Sequence, residues 1–161
     1  MTSTSMTINV QKSKVTFEVK KLGILPVKGT ISDFTGQIFL DMNALADLAF
    51  NVCVNPITID TGNTRRDKHL KNKDFFHVYE HPAICFRSTS LQYDENGYRA
   101  IGDLSMLGVT NEISIPFSFS DGIFSGTFTL NRLEYGLGKK FPAFVVGKTI
   151  SISINCITQV S

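Results

Sequence analysis

Between residues 64 and 86 the chain reads TRRDKHLKNKDFFHVYEHPAICF, and the side chains most able to do chemistry gather there. The protein's three histidines, His69, His77 and His81, all lie in this stretch, with Cys85 close behind. Four readings compete for it. The first is a metal centre: His77, His81 and Cys85 are spaced i, i+4, i+8 and would share one helical face, offering two imidazoles and a thiolate. Pro82 breaks any helix between His81 and Cys85, and Cys85 sits in a strand-like pattern, so no metal is expected. The second is acid–base catalysis, with His69 paired with Asp67 or Asp74. Residues two apart on a helix do not face each other, and no GxSxG elbow or other nucleophile motif accompanies them, so no catalytic residue is assigned. The third is a headgroup site. Arg65, Arg66, Lys68, Lys71 and Lys73 against Asp67 and Asp74 leave a local excess of +3, suited to a phosphate or a polar ring. The fourth is structural: Arg66, Asp67 and His69 tie a helix to neighbouring strands while aromatic residues cork one end of a core.

These residues need elements to hold them. The spacing predicts a helix over 64–76, capped by Asp60 or Thr64, with Leu70 and Phe75 or Phe76 as apolar contacts and His81-Pro82 returning the chain to extended structure. Nearly everything else alternates with a period of two, the mark of a strand with one apolar and one polar face. In SKVTFEVK, Val15, Phe17 and Val19 oppose Lys14, Thr16, Glu18 and Lys20. VKGTISDF, FTGQIFLD, DLAFNVCVN, PAICFRSTSLQY, GYRAIGDLSM, NEISIPFSFSD, IFSGTFTLNR and GKTISISINCITQV follow, so eight or nine strands are expected. Turn signals separate them: Gly23, the corner from Asp33 to Gly36, Asp94 to Gly97, Gly108 to Asn111, and Asp121-Gly122. Asn-Gly and Asp-Gly supply positive φ cheaply, so sequence neighbours should pair antiparallel. Gly29, Gly36, Gly102 and Gly126 permit sharp bends within or beside strands, which favours closure into a barrel over the two-sheet sandwich that the same alternation allows. No linker or repeat divides the chain, so residues 1–161 are read as one domain.

Bulk properties exclude more than they assign. A net charge of +2 without a long basic run offers no nucleic-acid surface. With 42% hydrophobic and 19% charged residues the chain is neither disordered nor a coiled coil, and its bias is 13 Phe with no Trp. No apolar run approaches the roughly 18 residues of a membrane helix. The opening MTSTSMTINVQKSK lacks an apolar leader core, and Cys53, Cys85 and Cys156 lack CxxC spacing. The expectation from both is a cytoplasmic protein with reduced, mostly buried thiols.

An eight-stranded barrel is wide enough to be filled by its own side chains or to hold one slender ligand. Strands of about eight to ten residues span roughly 26 to 33 Å, room for a long chain. The inward-facing candidates are Phe17, Val19, Ile31, Phe34, Phe50, Val52, Ile84, Phe86, Ile113, Phe117, Phe119 and Phe128, with Phe75 and Phe76 turned in from the end of the helix. Each buried methylene of a ligand contributes about 0.8 kcal/mol, so an isoprenoid or acyl tail needs no charged contact to bind. The alternative is that these phenylalanines pack against one another.

TRRDKHLKNKDFFHVYEHPAICFRS resembles the signature of the YceI family of bacterial polyisoprenoid-binding proteins. In that signature Arg-Asp, one residue, His-Leu, a polar spacer, Asp-Phe-Phe, a Pro and an Ile precede Phe and Ser. Arg66, Asp67, His69, Leu70, Asp74, Phe75, Phe76, Pro82, Ile84, Phe86 and Ser88 fit it. SKVTFEVKKLG with VKGTISDFTGQI, GDLSMLGVTNEISIPF, and LNRLEYGLG with VVGKTISISI are similar to the family's other blocks. His77 stands where the family commonly has an acidic residue, and no Trp opens the first strand. The resemblance implies an all-β fold: a single elongated eight-stranded antiparallel β-barrel, lipocalin-like, with a short helix between strands. It further implies a homodimer and non-catalytic binding, storage or transport of a long-chain amphiphilic lipid of isoprenoid quinone or polyprenyl type, fatty acids or amides being other occupants. On this reading the protein takes no cofactor beyond a bound long-chain isoprenoid or acyl lipid, binds no nucleic acid, and makes transient contact with a membrane. The alternative is an enzyme acting on such a lipid through His69 and Asp67.

Overall fold

The computed structural model describes residues 3–41 and 44–160. The alternating segments form β1 (Ser3–Ile8), β2 (Lys14–Lys21), β3 (Leu25–Asp41), β4 (Ala44–Asp60), β5 (Ile84–Asp94), β6 (Gly97–Met106), β7 (Val109–Ser120), β8 (Ile123–Asn131) and β9 (Thr149–Val160). Helix α1 (Thr64–Leu70) joins β4 to β5, and a 3-10 turn (Arg132–Tyr135) follows β8. From β2 onward each strand pairs antiparallel with its successor, and β9 returns to pair with β2, so eight strands close into a ring. The barrel, not the sandwich, is the outcome. β1 is an addition that the alternation did not announce: it pairs through Ser3–Met6 with β3 and through Met6–Ile8 with β9. Its readable pattern is only buried Met6, exposed Thr7 and buried Ile8, too short to stand out.

VKGTISDF and FTGQIFLD, expected as two strands parted by a corner, are one strand. β3 runs through the corner with register shifts against β4 between Thr30 and Ser32 and between Ser32 and Thr35. Asp33 takes φ 62° and Gly36 φ 108° there. A Cβ at Gly36 would lie 2.0 Å from the Asn51 carbonyl oxygen, so the bulge that bends this strand requires glycine. The same residues that terminate a strand in isolation bend it when a neighbouring ladder holds both sides.

The helix is shorter than its charge pattern suggested. It ends at Leu70, and its cap is Asn63, whose side chain accepts the Arg66 N–H at 3.0 Å. Beyond it the chain folds back in turns, with Phe76 N donating to the Leu70 carbonyl at 2.9 Å and Val78 N to the Lys71 carbonyl at 3.0 Å. Two core clusters result. The cluster at the helix end contains Ile31, Ile59, Phe76, Val78, Leu104, Met106, Leu130, Tyr135 and Leu137. The cluster at the opposite end contains Met6, Ile8, Phe34, Ile38, Leu48, Phe124 and Cys156. Val15 and Val54 touch both and mark the waist between them.

The cysteine expectation is corrected in part. Cys53 on β4 and Cys85 on β5 are direct cross-strand partners, Cα atoms 4.1 Å apart, and form a disulfide. Their spacing of 32 residues gave no hint of this, because strand register decides which residues face each other. Cys156 alone is a free, buried thiol, and burial pushes its pKa up to about 11.

Candidate functional site: an apolar barrel lumen with a basic mouth

The inward faces of the ring enclose a cavity of about 450 Å³, inside the roughly 300–1,000 Å³ range of ligand sites. Phe17, Val19, Ile31, Phe34, Phe50, Val52, Ile84, Phe86, Phe117 and Phe128 stand on its wall, and Phe75 and Phe76 reach it from the turns after α1. Ile113 and Phe119 do not. Both lie on the inward side of β7, but Ile113 packs into the helix-end cluster and Phe119 stacks on Phe124 with ring centroids 4.3 Å apart, so neither meets the void. The candidate set also omitted β9, where Ile150, Ile152 and Ile154 line the wall while Ser151, Ser153 and Asn155 turn outward. The string TISISIN carried that signal.

At the lower end Phe50 meets Phe117 and Phe124 edge-on, at 5.4 and 5.2 Å, and these rings floor the cavity. The helix end is different. Lys20, Lys21, Arg66, His69 and Arg132 join the wall there, and among the described residues no Asp or Glu lines the cavity. The lumen is therefore apolar along its length and cationic at its mouth, which suits a molecule with a long tail and a polar or anionic head.

The three residues proposed for the headgroup or for structure divide their labour. Asp67 Oδ1 accepts the Thr61 N–H at 2.9 Å and also the Thr61 hydroxyl. Arg66 donates to the same hydroxyl from Nε at 2.8 Å and to the Thr61 carbonyl from Nη2 at 2.9 Å. Together they fasten the first turn of α1 to the end of β4, the structural role. Arg66 also borders the lumen, whereas Asp67 does not. The acid–base pair His69 and Asp67 is not assembled, since Asp67 is held by Thr61. His69 instead contacts Asp74, Nε2 to Oδ2 at 3.1 Å. That hydrogen bond, with Lys140 at 3.7 Å, holds the Asp74 carboxyl below its ordinary range.

His69 also packs edge-on against Phe75 and Phe141, which stack on each other with centroids 5.1 Å apart. Gly138, at φ 63°, makes room for this stack: a Cβ there would fall 2.7 Å from Phe75 Cε1. Arg132 fixes the loop that carries Phe141, and reading of the sequence missed it. The side chain is 2% exposed, and all five of its hydrogen bonds end on backbone carbonyls, those of Leu137, Gly138, Phe141, Val146 and Gly147, at 2.6–3.0 Å. Burial lowers its pKa from the usual arginine range. An arginine in a loop ordinarily reads as exposed, so sequence pattern carried no signal for this clamp.

The metal reading of the sequence loses one donor, because Cys85 is bonded to Cys53. His77 and His81 do share a turn, His81 N donating to the His77 carbonyl at 2.9 Å, and with Glu80 they bring one donor atom each within 4.8 Å of one another. None of the three lines the cavity.

Comparison with known proteins fits this geometry. A model of the YceI-like domain matches residues 6–157. A UPF0312 protein of Yersinia pestis is 37% identical over 106 residues, which cover 65% of this chain and 55% of that protein. A Yersinia enterocolitica relative is 33% identical over 105 residues, with the same coverage. The chain thus spans about half the length of these curated relatives. Among solved structures, BcnA of Burkholderia cenocepacia superposes with TM-score 0.85 at 19% identity, covering 95% of this chain and all of that one. A polyisoprenoid-binding domain from Saccharophagus degradans superposes with TM-score 0.72 at 10% identity, covering 98% and 99%. At such identities the structural likeness speaks for the fold. The match of the domain model across nearly the whole barrel, signature helix included, establishes that the chain belongs to the YceI family.

Proposed function

We propose that the protein binds and carries a long-chain amphiphile of isoprenoid quinone or polyprenyl type, without acting on it chemically. The observation that carries the proposal is the lumen: a continuous apolar wall ending in a mouth lined by Lys, Arg and His side chains, with no Asp or Glu on the wall among the described residues. The polyisoprenoid-binding domain among the structural neighbours supports the tail, and the basic mouth supports a head that is polar or anionic. Fatty acids meet the same requirements. An enzyme built on His69 and Asp67 is disfavoured because the two side chains serve different partners. The Cys53–Cys85 bond supports residence in an oxidising compartment, against the cytoplasmic expectation, and its redox state in the native protein decides between them. Two copies per assembly, implied by the family resemblance, are checked by sedimentation equilibrium.

Thermal unfolding tests binding. A ligand that binds the folded state alone raises stability by about 2.7 kcal/mol at a hundredfold excess over Kd, or roughly 5–11 °C in Tm for a chain of this size. Polyprenyl or acyl lipids should give such a rise, linear in the logarithm of concentration. Unchanged Tm across both classes would reject the carrier reading.

A further inference from the structure

We propose that the helix end of the barrel is a docking tip for an anionic lipid bilayer, through which the carried amphiphile passes. The proposal rests on the carrier reading of the same cavity and adds the surface on which that cavity opens. Four large apolar side chains stand in water at this end: Leu22 is 56% exposed, Ile24 77%, Leu25 51% and Phe144 76%. They come from two segments tied into one. Leu22 N donates to the Val145 carbonyl at 3.0 Å, Gly147 N to the Lys20 carbonyl at 2.8 Å, and Lys21 bridges to Val146. Val145 and Val146 line the lumen, so the exposed Phe144 beside them lies at its rim.

Backbone strain points the same way. Leu22 and Leu107 both occupy positive φ, 54° and 55°, in Leu-Gly turns, a conformation unfavourable for a residue with a side chain. Leu107 packs against the core, and that contact offsets its strain. Leu22 stays more than half exposed and so gains far less of this kind on folding. An apolar phase that accepts Leu22 would supply the missing gain.

Charge selects the phase. The segments that meet at this end, 20–25, 60–80 and 131–148, hold eleven Lys and Arg against five Asp and Glu, leaving five against nine on the rest of the chain. The small net charge conceals this polarity. Lys20, Lys21, Lys139, Lys140 and Lys148 are exposed around the apolar residues. A basic rim around an apolar tip is complementary to a bilayer with anionic headgroups. A second copy docked on the same face would oppose two like-charged ends, which is costly.

Vesicle flotation tests the tip, using phosphatidylcholine alone and phosphatidylcholine mixed with phosphatidylglycerol. The full chain should float with the mixed vesicles at low salt, and several-fold less with neutral ones or at high salt, where surface charge is screened. Ile24→Ser combined with Phe144→Ser, both outside the cavity wall, should lower partitioning by at least about tenfold. Lys139→Glu alone should lower it about fivefold or more. Lipid occupancy of each variant, read by native mass spectrometry, should stay at the wild-type level. A wild-type protein that ignores anionic vesicles, or a double serine variant that floats undiminished, overturns the proposal. So does a patch whose substitution only dissolves a dimer, which would assign it to a second copy. If occupancy survives in any of these cases, the carrier reading stands and only the docking tip falls; flotation by a protein that takes up no lipid has the reverse meaning.

Discussion

At Val15 an open lumen and a filled core lead to opposite results for one substitution. Val15 lies in β2 between its cross-strand partners Ile31 and Ile154, touches both core clusters, lines the cavity, and is only half-buried. Val15→Phe adds four carbons at the waist of the barrel. If the lumen is open they enter free space, and phenylalanine keeps the strand preference, so the ligand-free variant should unfold at the wild-type denaturant midpoint or slightly above it. The same carbons take room from the ligand. Excluding about four methylenes at about 0.8 kcal/mol each costs about 3 kcal/mol, or roughly 150-fold in Kd. Calorimetric titration with geranylgeraniol reads the affinity, and urea unfolding reads the stability. A loss of stability of about 1–3 kcal/mol, typical of overpacking, with lipid affinity unchanged would mean that the waist is already full, and the reasoning would be refuted.

Thiol titration near pH 8 should find no reactive thiol in the folded protein, because burial holds Cys156 protonated, and one per chain after unfolding; three would show Cys53 and Cys85 to be unbonded. Since the folded-state pKa of Cys156 lies above its unfolded value, the associated stability is complete below the ordinary thiol range and falls as pH rises through about 11, and Cys156→Ala should remove that alkaline decline. Reduction of the Cys53–Cys85 bond frees a loop with a sequence separation of 32 and should cost about 4 kcal/mol, so coincident urea curves with and without reductant would contradict a stabilising role. The buried Tyr135 hydroxyl makes no well-formed hydrogen bond, the nearby Asn111 side-chain amide donating instead to the Glu134 carbonyl at 3.2 Å, and burial raises the Tyr135 pKa. Tyr135→Phe should therefore be neutral or stabilise by up to about 1 kcal/mol, whereas a loss above about 2 kcal/mol would reveal a bonded hydroxyl.

The strands were legible in the sequence because a barrel with one dry face writes itself as alternation. β2, β6 and β8 appear nearly as SKVTFEVK, GYRAIGDLSM and IFSGTFTLNR read, and Asp121-Gly122 forms the expected positive-φ turn. Alternation specifies the face a side chain takes but not how deeply it packs, so Ile113 and Phe119 face inward as expected and still miss the void. Local signals also mislead where tertiary pairing overrides them. Asp33 to Gly36 became a bulge because β4 continues alongside, and the basic run after Leu70 curled into turns so that Phe75 could stack on Phe141. What could not be read at all depends on distant segments meeting. The Cys53–Cys85 bond, the Arg132 clamp and the concentration of basic residues at one end arise only when strand order and register are known.

Occupancy of the lumen by a long-chain amphiphile is open to direct measurement. Native mass spectrometry of protein purified from its own source, followed by organic extraction of the same sample, tests it most directly. Expected are an adduct of lipid mass, an isoprenoid or acyl compound in the extract, uptake of that compound by the stripped protein, and weak uptake by Val15→Phe. A clean ligand-free mass, with no uptake of polyprenyl or acyl lipids supplied in excess, would contradict occupancy of the lumen.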